Sequence, residues 1–346
     1  MNRIAYNTSL QTPRVTVVIP TLGNDATLWE CVSSLMAQTM TDIEVVIVDN
    51  SGRGAVTLSR PQNVDVNILE MPANIGFGGA VNAGFAKSNS PFLATINDDA
   101  MASPTWLEHL LMAMESDPRI GSCASAVLLM GTNSLDSAGM LMAADGSSKQ
   151  RGNGQPHSTF AKSEMVLMAS GSASFFRREM IEQTGGFDED FFLYCEDSDL
   201  GLRAQWAGWT CVYVPQALVT HRYSQSAGKA SPLKAYLVER NRLRLIVKNF
   251  PLLELFITPS AAALRYYWHV RDLAIGTGKA SQFRQGGNSS LYLIWLVLKA
   301  HLAIFPALPN LLKNRAQVRR SARISTSQFR TLLHNHSISL RQVAEQ

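Results

Sequence analysis

Three short apolar runs in the first hundred residues, VTVVIP (Val15–Pro20), IEVVIVD (Ile43–Asp49) and FLATIND (Phe92–Asp98), each stop on a polar residue or a proline. Runs of this length, rich in β-branched side chains and bounded by turn residues, read as strands. Between them lie segments with apolar residues at helical spacing: Leu28, Cys31, Val32, Leu35 and Met36 within Asp25–Gln38, and Gly78–Lys87 after a Gly-rich turn. Strands alternating with helices imply an α/β fold built on a mainly parallel, doubly wound sheet. Ligands bind such sheets beyond the carboxyl ends of the strands, so Asp49, Asn50, Asn97, Asp98 and Asp99 become the first candidates.

The chain's 346 residues exceed one typical domain, and 46% hydrophobic with 17% charged residues suffices for a buried core. Its four cysteines, Cys31, Cys123, Cys195 and Cys211, form no C-x-x-C pair, which argues against a disulfide framework or a structural zinc and for a reducing, cytoplasmic setting. The opening MNRIAYNTSLQTPRV has no apolar stretch long enough for a secretory signal. The net charge of +4 hides a split: 12 Lys and Arg against 23 Asp and Glu up to His221, then 19 against 4. Four regions follow: a flexible N-terminus (1–13), an α/β domain (14–230), a helical basic and apolar region (231–320) and a C-terminal tail (321–346). Within the second, the alternation weakens after Gly121, and Asp145–Ser158 reads as loop. The third opens on Ser231-Pro232, a helix start, and its first helix ends before Pro251.

Leu291–Leu312 approaches the length of a membrane span, but Lys299, His301, Pro306 and Pro309 interrupt it. Trp, Tyr and Leu beside Lys and Arg, followed by the basic run Lys313–Arg323, suit a helix lying flat on anionic lipid; a buried helical subdomain and a true span stay open.

Five constellations carry polar chemistry. Pro20-Thr21, Asp49-Asn50-Ser51 and Asn74 stand at strand ends, where a carboxylate can accept from a base or ribose, although Asp-Asn-Ser-Gly is also ordinary turn chemistry. In NIGFGGAVNAG (Asn74–Gly84), the glycines Gly76, Gly78 and Gly79 precede a helix that includes Asn82 and can bring amides to an anion; Val81 breaks the G-x-G-x-x-G dinucleotide pattern, which disfavours hydride transfer. The adjacent acids Asp98 and Asp99 in INDDA repel one another unless a divalent cation, Mg2+ or Mn2+, joins them. Glu196, Asp197 and Asp199 follow an aromatic stretch and open a helix that carries Arg203 and Trp206; capping needs fewer acids, and a carboxylate against that wall can act as a general base. His221, after the apolar run CVYVPQALV, is a candidate third metal ligand.

In order and spacing, VVIPTLGNDATLWECVSSL, VIVDNSG, ANIGFGGAVNAG, NDD, ASGSASFFRR, GGFDEDFFLYCEDSDLGLR and AGW resemble the family 2 inverting glycosyltransferases of GT-A fold, especially the bacterial rhamnosyl- and galactofuranosyltransferase branch, over roughly Arg14 to Pro251. The resemblance implies a GT-A type doubly wound mixed sheet with a Rossmann-like nucleotide-binding half, extended by C-terminal, membrane-associating helices. It implies donor contacts from Pro20, Thr21, Asp49, Asn50, Asn74, Gly78, Gly79, Asn82, Asn97 and Asp98, with Arg240 and Asn241 near the pyrophosphate. It implies Asp99 and His221 on the metal, with Asn97 replacing the first acid of an Asp-x-Asp-like triplet. Asp197 becomes the catalytic base with Glu196 beside it, and Gly171, Ser172 and Trp206 stand near the acceptor.

The implied enzyme is metal-dependent and inverting. It moves a sugar, rhamnose first, from dTDP-rhamnose or a UDP-sugar to a glycan or polyprenyl-diphosphate-linked acceptor in surface polysaccharide synthesis. The expected location is cytoplasmic, peripheral on the inner membrane face, against anionic lipid; a homo-oligomer stays open. A basic nucleic-acid- or membrane-binding protein without transferase activity is the competing reading; the leucine-rich tail disfavours nucleic acid, so no nucleic-acid partner is expected. A nucleotidyltransferase needs a basic triphosphate loop, which PTLGNDAT lacks.

Overall fold

The computed structural model describes residues 12–23, 25–62, 64, 66–222 and 231–345. The expected flexible N-terminus falls almost wholly outside these residues, as do Tyr223–Lys229 of the stretch after His221. Twelve strands are described: β1 (Val15–Thr21), β2 (Ile43–Asp49), β3 (Asn67–Glu70), β4 (Phe92–Ile96), β5 (Ala100–Ala102), β6 (Ile120–Leu129), β7 (Leu135–Ser137), β8 (Met140–Met142), β9 (Ser148–Gln150), β10 (Glu164–Val166), β11 (Ala173–Arg177) and β12 (Thr210–His221). Helices α1 (Asp25–Met36), α2 (Ala55–Ser59), α3 (Gly76–Ala86), α4 (Trp106–Ser116), α5 (Arg178–Thr184) and α6 (Glu196–Trp206) alternate with them. The remainder is helical: α7 (Pro232–Asn249), α8 (Leu252–Ala274), α9 (Gly278–Gln285), α10 (Ser290–Leu302), α11 (Ile304–Arg320), α12 (Thr326–Asn335) and α13 (Leu340–Glu345).

The main sheet runs β10-β12-β6-β11-β4-β1-β2-β3, with β5 on β12 and β7 on β6. β4, β1, β2 and β3 are parallel, whereas β11 lies antiparallel between β4 and β6, so the sheet is mixed. Alternation along β1 explains its two-sided burial: Val15, Val17 and Ile19 join the core beneath α1 and α4, while Val18 joins the core beneath α3, α5 and α6. Each such side chain contributes roughly 1.5–3 kcal/mol when fully buried. Thr16 is tolerated inside because its hydroxyl bonds those of Ser88 and Ser90.

Three boundaries differ from expectation. The span 145–158 is not all loop, since β9 pairs with β8 in a separate ribbon. The Ser103-Pro104 pair reads as the start of the helix after INDDA, but that helix begins at Trp106, because the Trp106 N–H bonds the Ser103 carbonyl and the Ser-Pro pair forms a preceding turn. Residues from 321 on are no tail: Ser325 and Gln328 form a capping box, and α12 inserts Phe329, fully buried, against Trp206. α7 starts where Ser231-Pro232 indicated, with the Ser231 side chain accepting from the Lys234 N–H. Among the described residues no single helix is long and apolar enough to cross a membrane. Only the bent pair α10 and α11, at 45°, passes such a test together.

Candidate active site

β4 leaves its ladder at Ile96, and Asn97–Asp99 turn across the carboxyl end of the sheet. There Asp98 accepts a 2.5 Å hydrogen bond from Thr21 at the end of β1. Burial lifts the Asp98 carboxyl to about 6, with the Thr21 hydroxyl pulling the other way and the Asp99 charge adding to the rise. Pairing of β12 with β5 sets His221 opposite Ala100 and brings its Nε2 to 3.0 Å from Asp99 Oδ1. Its Nδ1 lies 2.8 Å from Asp136 Oδ2, on β7. Burial alone depresses the imidazole pKa, but hydrogen bonds to Asp136 and Asp99 outweigh it and raise the value to about 9.

Asp136 was not among the sequence candidates. It stands 85 residues from its partner, and a single acid in a three-residue strand carries no local signal. Among the described residues no group of three or more His, Cys, Asp or Glu side chains is poised to hold a metal. Asp99 and, once a cation displaces the Nε2 proton, His221 nevertheless offer one oxygen and one nitrogen, and Asp136 fixes the ring through its far nitrogen, as carboxylates behind ligating imidazoles do. A hard divalent cation that takes its other ligands from phosphate oxygens and water suits this donor set. The residues present therefore fit such an ion.

A second group gathers at the start of α6. The Gly171 N–H donates to Asp197 Oδ2 at 3.0 Å, and the Ser198 N–H and hydroxyl bond Oδ1. Burial raises the Asp197 pKa against those hydrogen bonds. Glu196, 6% exposed, has no partner for Oε2, and burial followed by the charges of Asp197 and Asp199 lifts it to about 8. The segment Ser170–Ser172 ties both groups together, because the Ser172 carbonyl accepts from the Asn97 N–H while Gly171 holds Asp197. The Asn97 amide also lies 3.4 Å from His221 Nε2.

Several expected site residues serve the frame instead. Asp199 is fully buried and bound by Arg203, Lys248 and Asn249, so it is a structural acid. Trp206, 1% exposed, is stacked on Phe329 at 4.0 Å with the Arg319 guanidinium 3.6 Å from its ring centre, and its indole N–H donates to the Asn249 carbonyl; it cannot touch an acceptor. Asn241 is buried, and its amide donates to the carbonyls of Phe191, Leu193 and Tyr194, while Arg240 donates to that of Phe191, so both brace the approach to α6. Gly78 and Gly79 are buried within α3; a Cβ on Gly78 would lie 2.9 Å from that of Phe187, so this glycine permits close packing and faces no open pocket. Asn82 clamps Phe187 through both its N–H and its carbonyl.

Asp49 accepts from the N–H groups of Ser51 and Val56, which hold its pKa low against the upward push of burial, and it thereby fixes the turn into α2. Asn50 and Asn74 bond each other and the Ile75–Gly76 backbone, shaping the loop between β3 and α3. Pro20 stands one residue before Thr21 in β1.

A sequence model described as Glycosyl transferase family 2 matches residues 16–185. An N-acetylglucosaminyl-diphospho-decaprenol L-rhamnosyltransferase of Mycobacterium tuberculosis is 30% identical over 249 residues, 64% of this chain and 80% of that protein. The O-antigen biosynthesis protein RfbC of Myxococcus xanthus is 28% identical over 227 residues, 62% of this chain but 18% of its own length. The crystal structure of GalNAc-T7 with UDP, GalNAc and Mn2+ shares the fold, with a TM-score of 0.59 at 14% identity over 86% of this chain and 58% of that one.

Proposed function

This chain belongs to glycosyl transferase family 2 and is a glycosyltransferase, and from that premise we propose that it moves rhamnose from a nucleoside diphosphate donor to a hydroxyl of a glycan or polyprenyl-diphosphate-linked acceptor, with inversion. The observation that carries the reading is Asp197. Its carboxylate is anchored by the Gly171 N–H, its basicity is raised by burial, and the Ser170–Ser172 segment links it to the turn that carries the acids at the sheet end.

In this scheme Asp197 takes the proton of the acceptor hydroxyl as its oxygen attacks the anomeric carbon. The bond from that carbon to the phosphate oxygen breaks on the opposite face, and its electron pair leaves with the nucleoside diphosphate. One displacement inverts the centre. Asp99 and His221 would hold a divalent cation, Mg2+ or Mn2+, whose chemistry there is to offset the charge of the departing diphosphate. Asp98, fixed by Thr21, would stand on the donor's side of this displacement.

Asp197→Asn tests this directly. Transfer should fall by about 10²- to 10⁴-fold, the usual worth of a general base, while nucleotide binding persists. Activity equal to that of the unaltered enzyme removes Asp197 from the role. Melting-temperature shifts with dTDP, UDP and GDP, each with and without Mn2+, identify the donor base.

On this reading the enzyme works at the cytoplasmic face of a membrane. Support comes from α8, α10 and α11, whose outer surfaces expose Phe256 (83%), Trp295 (51%) and Phe305 (70%), and from the nearby cations Arg271, Lys299 and Lys313. Changing those three aromatics together to Asp should cut cosedimentation with phosphatidylglycerol vesicles at least tenfold, since each buried aromatic contributes roughly 1.5–3 kcal/mol. Unchanged cosedimentation rejects the membrane assignment.

A further inference from the structure

Among the described residues, the three non-glycine positions with positive φ fall in one stretch of four: Phe192 (φ 65°, ψ −60°), Tyr194 (φ 70°) and Cys195 (φ 67°, ψ 0°). Residues with a Cβ avoid this part of backbone space, and a segment that holds it needs support from its surroundings. Cys195 is the N-cap of α6, and its side chain makes no capping hydrogen bond. Its carbonyl accepts from the Asp199 N–H at 2.9 Å, so the backbone of Cys195 sets where the first turn begins. Asp197 is the second residue of that turn.

The support comes from α7. Asn241 is fully buried, and its Nδ2 lies 2.8 Å from each of the carbonyl oxygens of Phe191, Leu193 and Tyr194. Two N–H hydrogens thus serve three oxygens. Oxygens gathered so closely around one nitrogen repel one another once that donor is gone, because like dipoles are then left facing across a buried gap. The amide is kept from turning over by Arg240, whose Nε donates to its Oδ1 at 2.9 Å. Arg240 also donates to the Phe191 carbonyl at 2.9 Å. From the opposite side the Phe77 N–H donates to the Phe192 carbonyl at 2.8 Å, so the segment is held between α3 and α7.

The rest of α6 is anchored separately. Asp199 accepts from Arg203 at 2.7 Å, from Lys248 at 2.9 Å and from Asn249 at 2.8 Å. Loss of the Asn241 amide therefore loosens the first turn while the body of the helix stays in place. The effect falls on Asp197, whose Oδ2 meets the Gly171 N–H at 3.0 Å.

We infer that Asn241, oriented by Arg240, is a positioning residue for transfer: it draws the carbonyls of Phe191, Leu193 and Tyr194 together and so aims the Asp197 carboxylate. This rests on the role of Asp197 as base proposed above. Neither Asn241 nor Arg240 then touches the donor, and the share of both in the reaction passes through Asp197 alone.

A double-mutant cycle tests that last statement on the full chain. Asn241→Ala should slow turnover at least tenfold when Asp197 is present, but less than twofold in the Asp197→Asn background, where no base remains to be aimed. Turnover is read as dTDP released from dTDP-rhamnose with Mg2+ under single-turnover conditions, with water in the acceptor's place. Affinity for dTDP, measured by calorimetry, should stay within twofold. A second readout needs no catalysis: amide hydrogen exchange at Gly171 should quicken at least tenfold in Asn241→Ala, while exchange in β1 and β2 stays within twofold. Arg240→Met, which leaves the buried amide in place, should move both readouts the same way by at least threefold, and it carries the test if Asn241→Ala does not fold. Equal slowing in both backgrounds makes Asn241 a residue of the frame only. Weakened dTDP binding places it at the donor instead, and unchanged exchange at Gly171 shows that Asp197 is held without it; any of the three overturns the inference. If water proves too poor an acceptor to turn over, exchange at Gly171 decides alone. A protein that binds none of dTDP, UDP or GDP refutes the reading beneath this one, whatever the exchange shows.

Discussion

Glu196→Gln should stabilise the protein, increasingly so as pH rises. Glu196 is 6% exposed, its Oε2 meets no donor, and burial with two neighbouring acids lifts its pKa to about 8 from an ordinary 4.5. Between those values the folded protein keeps a proton that the unfolded chain releases. The folded state therefore binds more protons, and unfolding free energy must fall as pH rises, by up to about 1.4 kcal/mol per unit. From 4.5 to 7 the loss amounts to about 3 kcal/mol, and it continues until the folded carboxyl itself ionises near 8. Glutamine has the same shape and no charge to acquire. Urea unfolding of both proteins at pH 5, 6, 7 and 8 isolates the effect, because every other titrating group is shared and cancels to first order in the difference. The gain should be under about 1 kcal/mol at pH 5 and about 3 kcal/mol at pH 7. A difference that does not change with pH means that Glu196 is ionised in the folded protein, and the argument from its burial fails.

Two further outcomes follow from contacts that unite distant parts of the chain. Trp206→Ala should cost about 3–5 kcal/mol by chemical denaturation, because it empties the slot between Phe329 and Arg319; a loss below about 1 kcal/mol would return Trp206 to the surface. Asp136→Ala should weaken Mn2+ binding, read by electron paramagnetic resonance, by about 10- to 100-fold, since the His221 ring loses the partner that orients it. Unchanged Mn2+ affinity would show that the ring is oriented without Asp136.

How much of this was legible depended on whether the cause was local. VTVVIP, IEVVIVD and FLATIND declared β1, β2 and β4 because strand periodicity and chain-stopping residues act within a few positions, and the Ser231-Pro232 cap declared α7 for the same reason. The acids at the sheet end and at the start of α6 were legible as unusual densities of charge beside apolar runs. Their partners were not. Asp136 meets His221 only because β7 and β12 both pair with β6, and no spacing in the sequence encodes that neighbourhood. The family resemblance put Trp206 near the acceptor, and nothing local opposed it, since the groups that enclose it, Phe329 and Arg319, stand more than one hundred positions further on. Gly78 and Asn82 had the look of ligand-binding residues because close backbone approach serves ligands and packing alike. Only the placement of Phe187 against α3 separates the two.

The charge split between the two halves has a structural consequence that composition alone left open. Part of it is neutralised across their junction: Lys248 bonds Asp188 and Asp199, and Arg242 and Arg265 hold Asp145. Just ahead of Glu196 and Asp197, Phe192, Tyr194 and Cys195 all have positive φ, which costs of order 1–3 kcal/mol per residue for side chains of this kind. That conformation persists because α7 supplies the Asn241 amide to three carbonyls of the same segment, and because Gly76, whose Cβ would fall 2.2 Å from the Phe192 oxygen, lets α3 close from the other side. The helical region thus holds the backbone that aims Asp197. A chain cut after Pro251 would keep Asn241 but lose Arg265, Arg319 and Phe329, leaving part of the Asp145 charge and the Trp206 ring uncovered. Membrane contact is for that reason better probed by substituting the exposed aromatics Phe256, Trp295 and Phe305 than by truncation, because the C-terminal helices pack into the same fold as Asp197.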